Sequence, residues 1–254
     1  MWEAYVVAVE EGVALGVSVL CLVVYPPHAH PTYACKYSTP SPWHRLFYVA
    51  CAIFSIVVQV ADVVKTHGHC FAFFTTWNFI LQIGFWTWSI VDHRASSRLR
   101  LVLFDVLWPS SILVAGVVWG ILYPAVVIAH EEAKLLNWIS YCQHGINTVL
   151  LCIEWILSDA RHMSWRASAF LVLFATVYVI FAWILHESTP QGFWPYPFLA
   201  IDRPLSPLVY LCLLVLQLVA FSVTLFGASL RSRAASQPAK DDSESSVRLL
   251  DEAA

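Results

Sequence analysis

The chain has 254 residues, 59% of them hydrophobic and only 12% charged, with a formal net charge of −3. Soluble domains carry about 25% charged residues, so a soluble globular fold is excluded and a helical membrane protein is indicated. The slightly acidic balance lacks the basic stripes that nucleic-acid binding requires.

An apolar hydrocarbon core takes about 20 helical residues to cross. The first stretch of that length is Ala4–Tyr25, which Glu10 and Glu11 interrupt. Residues 26–43 are Pro-rich and irregular. Six clear spans follow: Leu46–Val64, Cys70–Val91, Leu101–Tyr123, Trp138–Leu157, Ser168–Leu185 and Leu208–Ser229. With Ala4–Tyr25 as a seventh, the expected fold is all-α, a polytopic membrane bundle forming one domain over residues 1–230. Residues 231–254 are polar and Ser-rich and lack aromatics, so a disordered tail is expected there. No basic leader precedes the first apolar stretch, so no cleavable signal peptide is expected.

Charge alternates along the loops. Lys36, Arg45, Arg94, Arg98, Arg100, Arg161, Arg166, Arg231, Arg233, Lys240 and Arg248 fall on one side, leaving only Lys65, Lys134 and Arg203 on the other. The positive-inside rule puts the first set, and the C-terminus, in the cytoplasm of an endomembrane or plasma-membrane protein.

Polar residues inside the spans carry the functional signal. Asn occurs only three times, yet Asn78 and Asn147 both lie within apolar spans. On the third span Thr75, Asn78 and Gln82 stand at i, i+3 and i+7 and share a helix face; on the fifth, His144, Asn147 and Glu154 do the same. Such stripes turn inward rather than face lipid. Thr75 is about five residues and His144 about six residues past the non-cytoplasmic start of its span, so both lie roughly 8–9 Å deep. A hydroxyl and an imidazole at one depth make a nucleophile and its base. The alternative is structural: an intramembrane Thr bonds its own i−4 carbonyl and an Asn bridges helices. Thr76, about 100° around the helix, is the rival nucleophile.

Other polar residues are read more simply. His28 and His30, and His67 and His69, form close pairs, but the helical His boxes of membrane metalloenzymes are missing, so neither a metal nor another cofactor is expected. Asp62, near the outer end of its span, is expected to reach water, and Asp105 to pair with Arg98 or Arg100. Pro109 is expected to kink the fourth span.

Phe74-Thr75-Thr76-Trp77-Asn78 with Gln82, Pro109 followed by Trp119 and Tyr123, the run from His144 to Glu154, and His186 followed by Trp194-Pro195-Tyr196-Pro197-Phe198-Leu199 resemble, in order, motifs of the androgen-induced membrane protein family. The matches cover roughly residues 70–200. The resemblance implies a multi-pass threonine hydrolase that cleaves fatty acid esters of hydroxy fatty acids, its lipid substrate arriving from the bilayer. Thr75 would be the nucleophile and His144 the base. For such a reaction Asn78 or Asn147 is a candidate oxyanion donor, Gln82 and His186 are further supporting or oxyanion candidates, and His186 and the Trp194–Leu199 loop are placed to cap the site from the outer side. Asn78 stands where the vertebrate hydrolases carry an acid, so the resemblance does not supply a third residue that orients or charges the site. The same motifs resemble Rolling stone proteins, which implies a non-enzymatic membrane protein of cell fusion or adhesion as the alternative. A transporter is disfavoured, because no inverted repeat or pair of interrupted helices flanks a charged midplane site.

Overall fold

The computed structural model describes residues 2–25, 41–92, 97–158 and 163–236. Lys36, Arg94, Arg161, Lys240, Arg248 and the His28–His30 pair lie outside them. All elements among the described residues are helical: α1 (Trp2–Val24), α2 (Pro42–Thr66), α3 (Phe74–Val91), α4 (Arg98–Val117), α5 (Tyr123–Ile128), α6 (Trp138–Tyr141), α7 (Asn147–Leu157), α8 (Arg166–Ser188) and α9 (Ser206–Ser236). Five helical runs are long and apolar enough to cross a membrane: α1, α2, the joined run Leu99–Ile128, α8 and α9. The 18-residue α3 and the α6–α7 run, which carry the polar stripes, are not among these five.

Local chemistry sets the boundaries. Ser41 accepts a hydrogen bond from the His44 N–H at 3.3 Å and Pro42 opens α2, a side-chain cap followed by a ring pre-set for the first turn. α2 ends where His67 (φ 51°) and Gly68 (φ 86°) enter the left-handed region. A short 3-10 turn, His69–Ala72, then delays α3 until Phe74. Thr75 is therefore the second residue of its helix, not five residues inside it as the apolar run implied. Glu10 and Glu11 do not interrupt α1, which is continuous for 23 residues.

α2 packs on α3, α3 on α4, and α4 on α7, α8 and α9, while α1 lies against α8 and α9. One core cluster gathers Tyr48, Phe85, Trp86, Leu107, Trp108 and Leu151. Another, at the Thr75 end of α3, gathers Val7, Tyr178, Ala182, Leu199 and Tyr210. The outer faces of α1, α2 and α9 expose Val, Leu and Ile, as lipid contact requires.

Basic residues close two helix C-termini, where unsatisfied carbonyls collect. Arg166 donates to the Leu22 carbonyl at 2.9 Å. Arg231 donates to the carbonyls of Trp155, Ile156 and Ser158 at the end of α7. α9 continues as helix to Ser236; the rest of the expected tail, 237–254, lies outside the described residues.

Candidate active site

Two interrupted helices frame the site. Between α4 and α5 the chain widens into a π turn at Val118–Leu122, closed by the Tyr123 N–H to the Val118 carbonyl. Pro124 follows directly; its ring cannot donate and crowds the carbonyl four residues back, which opens the helix there. A second π turn, Cys142–Ile146, joins α6 to α7 and holds His144. Single π turns of this kind concentrate at functional sites. The two face each other. The Trp119 indole N–H donates to the His144 carbonyl at 2.9 Å, and its ring stacks on Tyr141 with centroids 5.6 Å apart.

His144 is buried, and its Nδ1 has no hydrogen-bond partner among the described residues. Its neighbour Gln143 donates to the Asp62 carboxylate at 2.9 Å. Asp62 is therefore turned into the bundle and does not reach water, contrary to the expectation from its place near a span end. An amide one residue from His144 gives the carboxylate a cheaper partner than a path out through lipid.

The polar faces of α3 and α7 meet as their spacing implied. Asn78, Gln82 and Asn147 are all buried. Gln82 Nε2 donates to the Asn147 carbonyl at 3.1 Å. Asn78 Nδ2 lies 3.4 Å from the Ser111 hydroxyl of α4, and the Thr148 hydroxyl donates to the Ser111 carbonyl at 3.2 Å. Asn147 Oδ1 accepts from the Thr148 N–H at 2.6 Å. Five atoms in this region have no partner among the described residues: Asn78 Oδ1, Gln82 Oε1, Asn147 Nδ2, Ser110 Oγ and His144 Nδ1. Each such orphan costs about 1–3 kcal/mol if it stays unpaired; further ones lie elsewhere in the bundle, the indole N–H groups of Trp86 and Trp108 among them.

Thr75 and Thr76 are separated by their surroundings. Thr76 is 1% exposed. Thr75 is half-buried and lines a cavity of about 110 Å³ between α3, α4, α8 and α9. Around Thr75 the wall is Phe74, Tyr178, Tyr196, Phe198 and Leu199, and Glu11, Thr176 and Gln217 add polar groups to an otherwise apolar lining. Thr76 and His144 are not in the wall. The Gln82–Asn147 bond fixes the register of α3 against α7. Thr75 lies seven residues before Gln82 and His144 three residues before Asn147, and no hydrogen bond joins Thr75 to His144 among the described residues.

The α8–α9 loop closes the cavity. The Tyr196 hydroxyl faces the Thr75 hydroxyl and the backbone N–H groups of Phe74 and Thr75. Burial pushes the Tyr196 phenol up to about 12, against the opposing pull of those hydrogen bonds. His186 stacks on Trp194 with centroids 4.0 Å apart, and its Nδ1 has no partner among the described residues. Gly192 has φ +61°, and a Cβ there would sit 2.7 Å from His186 Cε1, so the loop needs glycine at this point. His186 braces the loop but is not in the cavity wall; Tyr196, Phe198 and Leu199 are.

The polar cavity residues Thr176 and Gln217 carry no signal in the sequence. Tyr196 is visible there only as part of a capping motif. Glu11 looks like a break in an apolar run; in the fold it accepts a hydrogen bond from Thr176 at 2.9 Å. The remaining acid of the His144 stripe, Glu154, lies elsewhere and pairs with Arg100 at 2.7 Å.

The family model described as FAR-17a/AIG1-like protein matches residues 43–232. Comparisons with curated proteins and with solved structures return no match.

Proposed function

The chain belongs to the FAR-17a/AIG1-like family, and from that premise we propose that it is a multi-pass membrane hydrolase of fatty-acyl esters, with Thr75 as nucleophile and His144 as base. The observation that carries the reading is the placement of Thr75. It is a hydroxyl on the wall of an apolar cavity, on a helix whose Gln82 bonds Asn147, three residues after an imidazole whose Nδ1 has no partner among the described residues.

The chemistry follows from the residues. His144 accepts the Thr75 hydroxyl proton as Oγ1 attacks the ester carbonyl carbon. The carbonyl π pair moves onto oxygen. Collapse of the tetrahedral intermediate breaks the bond to the alkoxide, which takes the proton from His144 and leaves as an alcohol. Water, deprotonated in turn by His144, attacks the acyl-threonine; the second tetrahedral intermediate collapses, Thr75 Oγ1 leaves and takes the proton back from His144, and the fatty acid is released. Asn147 Nδ2, which has no protein acceptor among the described residues, is the free amide donor of the region; Asn78 Nδ2 is already engaged with Ser111. An acyl chain reaches an apolar cavity from the bilayer by partition rather than from water.

The proposed topology has seven crossings: α1, α2, α3, α4–α5, α6–α7, α8 and α9. The C-terminus is cytoplasmic, and the Thr75 end of the bundle lies toward the opposite face. The non-enzymatic alternative is favoured by one observation: the Tyr196 hydroxyl already gives Thr75 a partner, as a purely structural hydroxyl requires.

A fluorophosphonate probe separates the two readings. Detergent-purified protein is labelled at an activated hydroxyl, and the label is lost in Thr75→Ala and His144→Ala but kept in Thr76→Ala. Absence of labelling in folded wild type refutes the hydrolase. Labelling lost only in Thr76→Ala moves the nucleophile.

A further inference from the structure

We propose that Tyr196 is a catalytic residue whose phenolic hydroxyl donates a hydrogen bond to the oxyanion formed when Thr75 attacks an ester carbonyl. The inference rests on the hydrolase reading and adds to it the donor that stabilises the transition state.

Three observations converge on this residue. First, Tyr196 and Thr75 share one cavity wall, so a carbonyl carbon that reaches the Thr75 hydroxyl also brings its oxygen near the phenol. Second, the phenol is held at the start of α3. Phe73 gives that helix no side-chain cap, which leaves first-turn N–H groups in need of acceptors. The Tyr196 oxygen faces the N–H groups of Phe74 and Thr75. An oxygen that accepts from a helix N-terminus carries part of its positive dipole and becomes a stronger donor through its own proton. Third, the ring is fixed before substrate arrives. It packs against Phe73 at 5.6 Å, Phe198 at 5.1 Å and Tyr178 at 6.5 Å between centroids. Gly192 and the His186–Trp194 stack fix the loop that carries it. A preorganised donor costs no reorganisation at the moment of reaction.

The protonation state fits the role. The phenol is pushed up to about 12 by burial, so it is a neutral O–H donor at physiological pH and not a competing base. In the step itself, Thr75 Oγ1 forms the new C–O bond, the Thr75 proton passes to His144, and the carbonyl pair becomes an alkoxide oxygen. The Tyr196 hydroxyl hydrogen-bonds that oxygen and keeps its proton throughout. When the carbonyl re-forms and the leaving alkoxide departs, the hydrogen bond weakens again. A donor used only in the transition state raises kcat without tightening substrate binding.

The test uses full-length protein in detergent, with p-nitrophenyl butyrate as probe ester and a fluorophosphonate as probe inhibitor. Loss of one oxyanion donor lowers kcat about 10²- to 10³-fold. Tyr196→Phe is therefore expected to fall by that factor in kcat with KM little changed, and to phosphonylate more slowly in proportion. If Thr75→Ala is inert while Tyr196→Phe matches wild type in both assays, the inference is overturned and the hydrolase stands. If wild type itself is inert, both fall. Should Tyr196→Phe fail to fold, 3,5-difluorotyrosine at 196 keeps the ring and the hydroxyl but makes the phenol more acidic. The alkaline limb of its kcat profile is then expected to move to lower pH, and an unmoved limb overturns the inference.

Discussion

The two ends of the α3–α7 pair use polar side chains differently. At one end Arg100 binds Glu154 at 2.7 Å, the Tyr48 hydroxyl at 2.5 Å and Ser89 at 3.0 Å, and its guanidinium lies 5.0 Å from the Tyr48 ring centroid. One cation joins four helices there: Tyr48 from α2, Ser89 from α3, Arg100 from α4 and Glu154 from α7. At the other end Asn78, Gln82, Asn147, Ser110 and His144 each keep an atom without a partner among the described residues, and Thr75 of the same helix face lines an apolar cavity. The first arrangement uses buried charge to hold helices together. The second leaves hydrogen-bonding capacity unspent where chemistry is proposed.

Substitutions sharpen that contrast, beginning with the largest effect. Thr75→Ala is expected to remove ester hydrolysis by about 10⁴-fold or more, with His144→Ala close behind and the double variant no worse than either, because residues that act as a unit are not additive. Turnover measurements on the three proteins check this, and the thermal midpoint of Thr75→Ala should stay near wild type. At the opposite end the signs reverse. Arg100→Met strands Glu154 and should destabilise by about 3–5 kcal/mol, while Arg100→Met with Glu154→Leu recovers most of the loss; a double-mutant cycle on unfolding midpoints reads this directly. If Arg100→Met instead impaired turnover in folded protein, the division between the two ends would fail.

Smaller effects follow. Ser110→Ala deletes a buried hydroxyl without a partner among the described residues and should leave stability unchanged or slightly improved, by up to about 1 kcal/mol. A clear loss would mean that the hydroxyl is bonded. The Tyr196 phenol, raised in the folded protein from its ordinary 10 to about 12, has a signed consequence. Between those values the unfolded chain releases its proton and the folded chain retains it, so stability falls as pH rises through that window. Tyr196→Phe should flatten that limb of a midpoint-against-pH curve.

Much of this arrangement could be read from the chain. Apolar runs located the main helices, and i, i+3, i+7 spacing turned Asn78 and Gln82 inward toward Asn147. Local backbone chemistry was less visible. Gly68 and the 3-10 turn after it shortened α3 and moved Thr75 to its first turn. Two π turns broke helices that hydropathy reads as continuous. Long-range partners were hidden altogether: that Asp62 meets Gln143, that Arg100 meets Glu154, and that Arg231 closes α7 each depend on contacts far apart in sequence. The same holds for Tyr196, more than 100 residues from the hydroxyl it faces.

Hydrolysis as proposed depends on Thr75 working together with His144, and peptide mass spectrometry of the fluorophosphonate-treated protein asks this most directly. A phosphonate adduct is expected on the peptide containing Thr75, assigned by fragmentation to that hydroxyl and absent when His144 is replaced by Ala. An adduct assigned to Thr76, one that persists at full yield without the imidazole, or none in folded protein would contradict it.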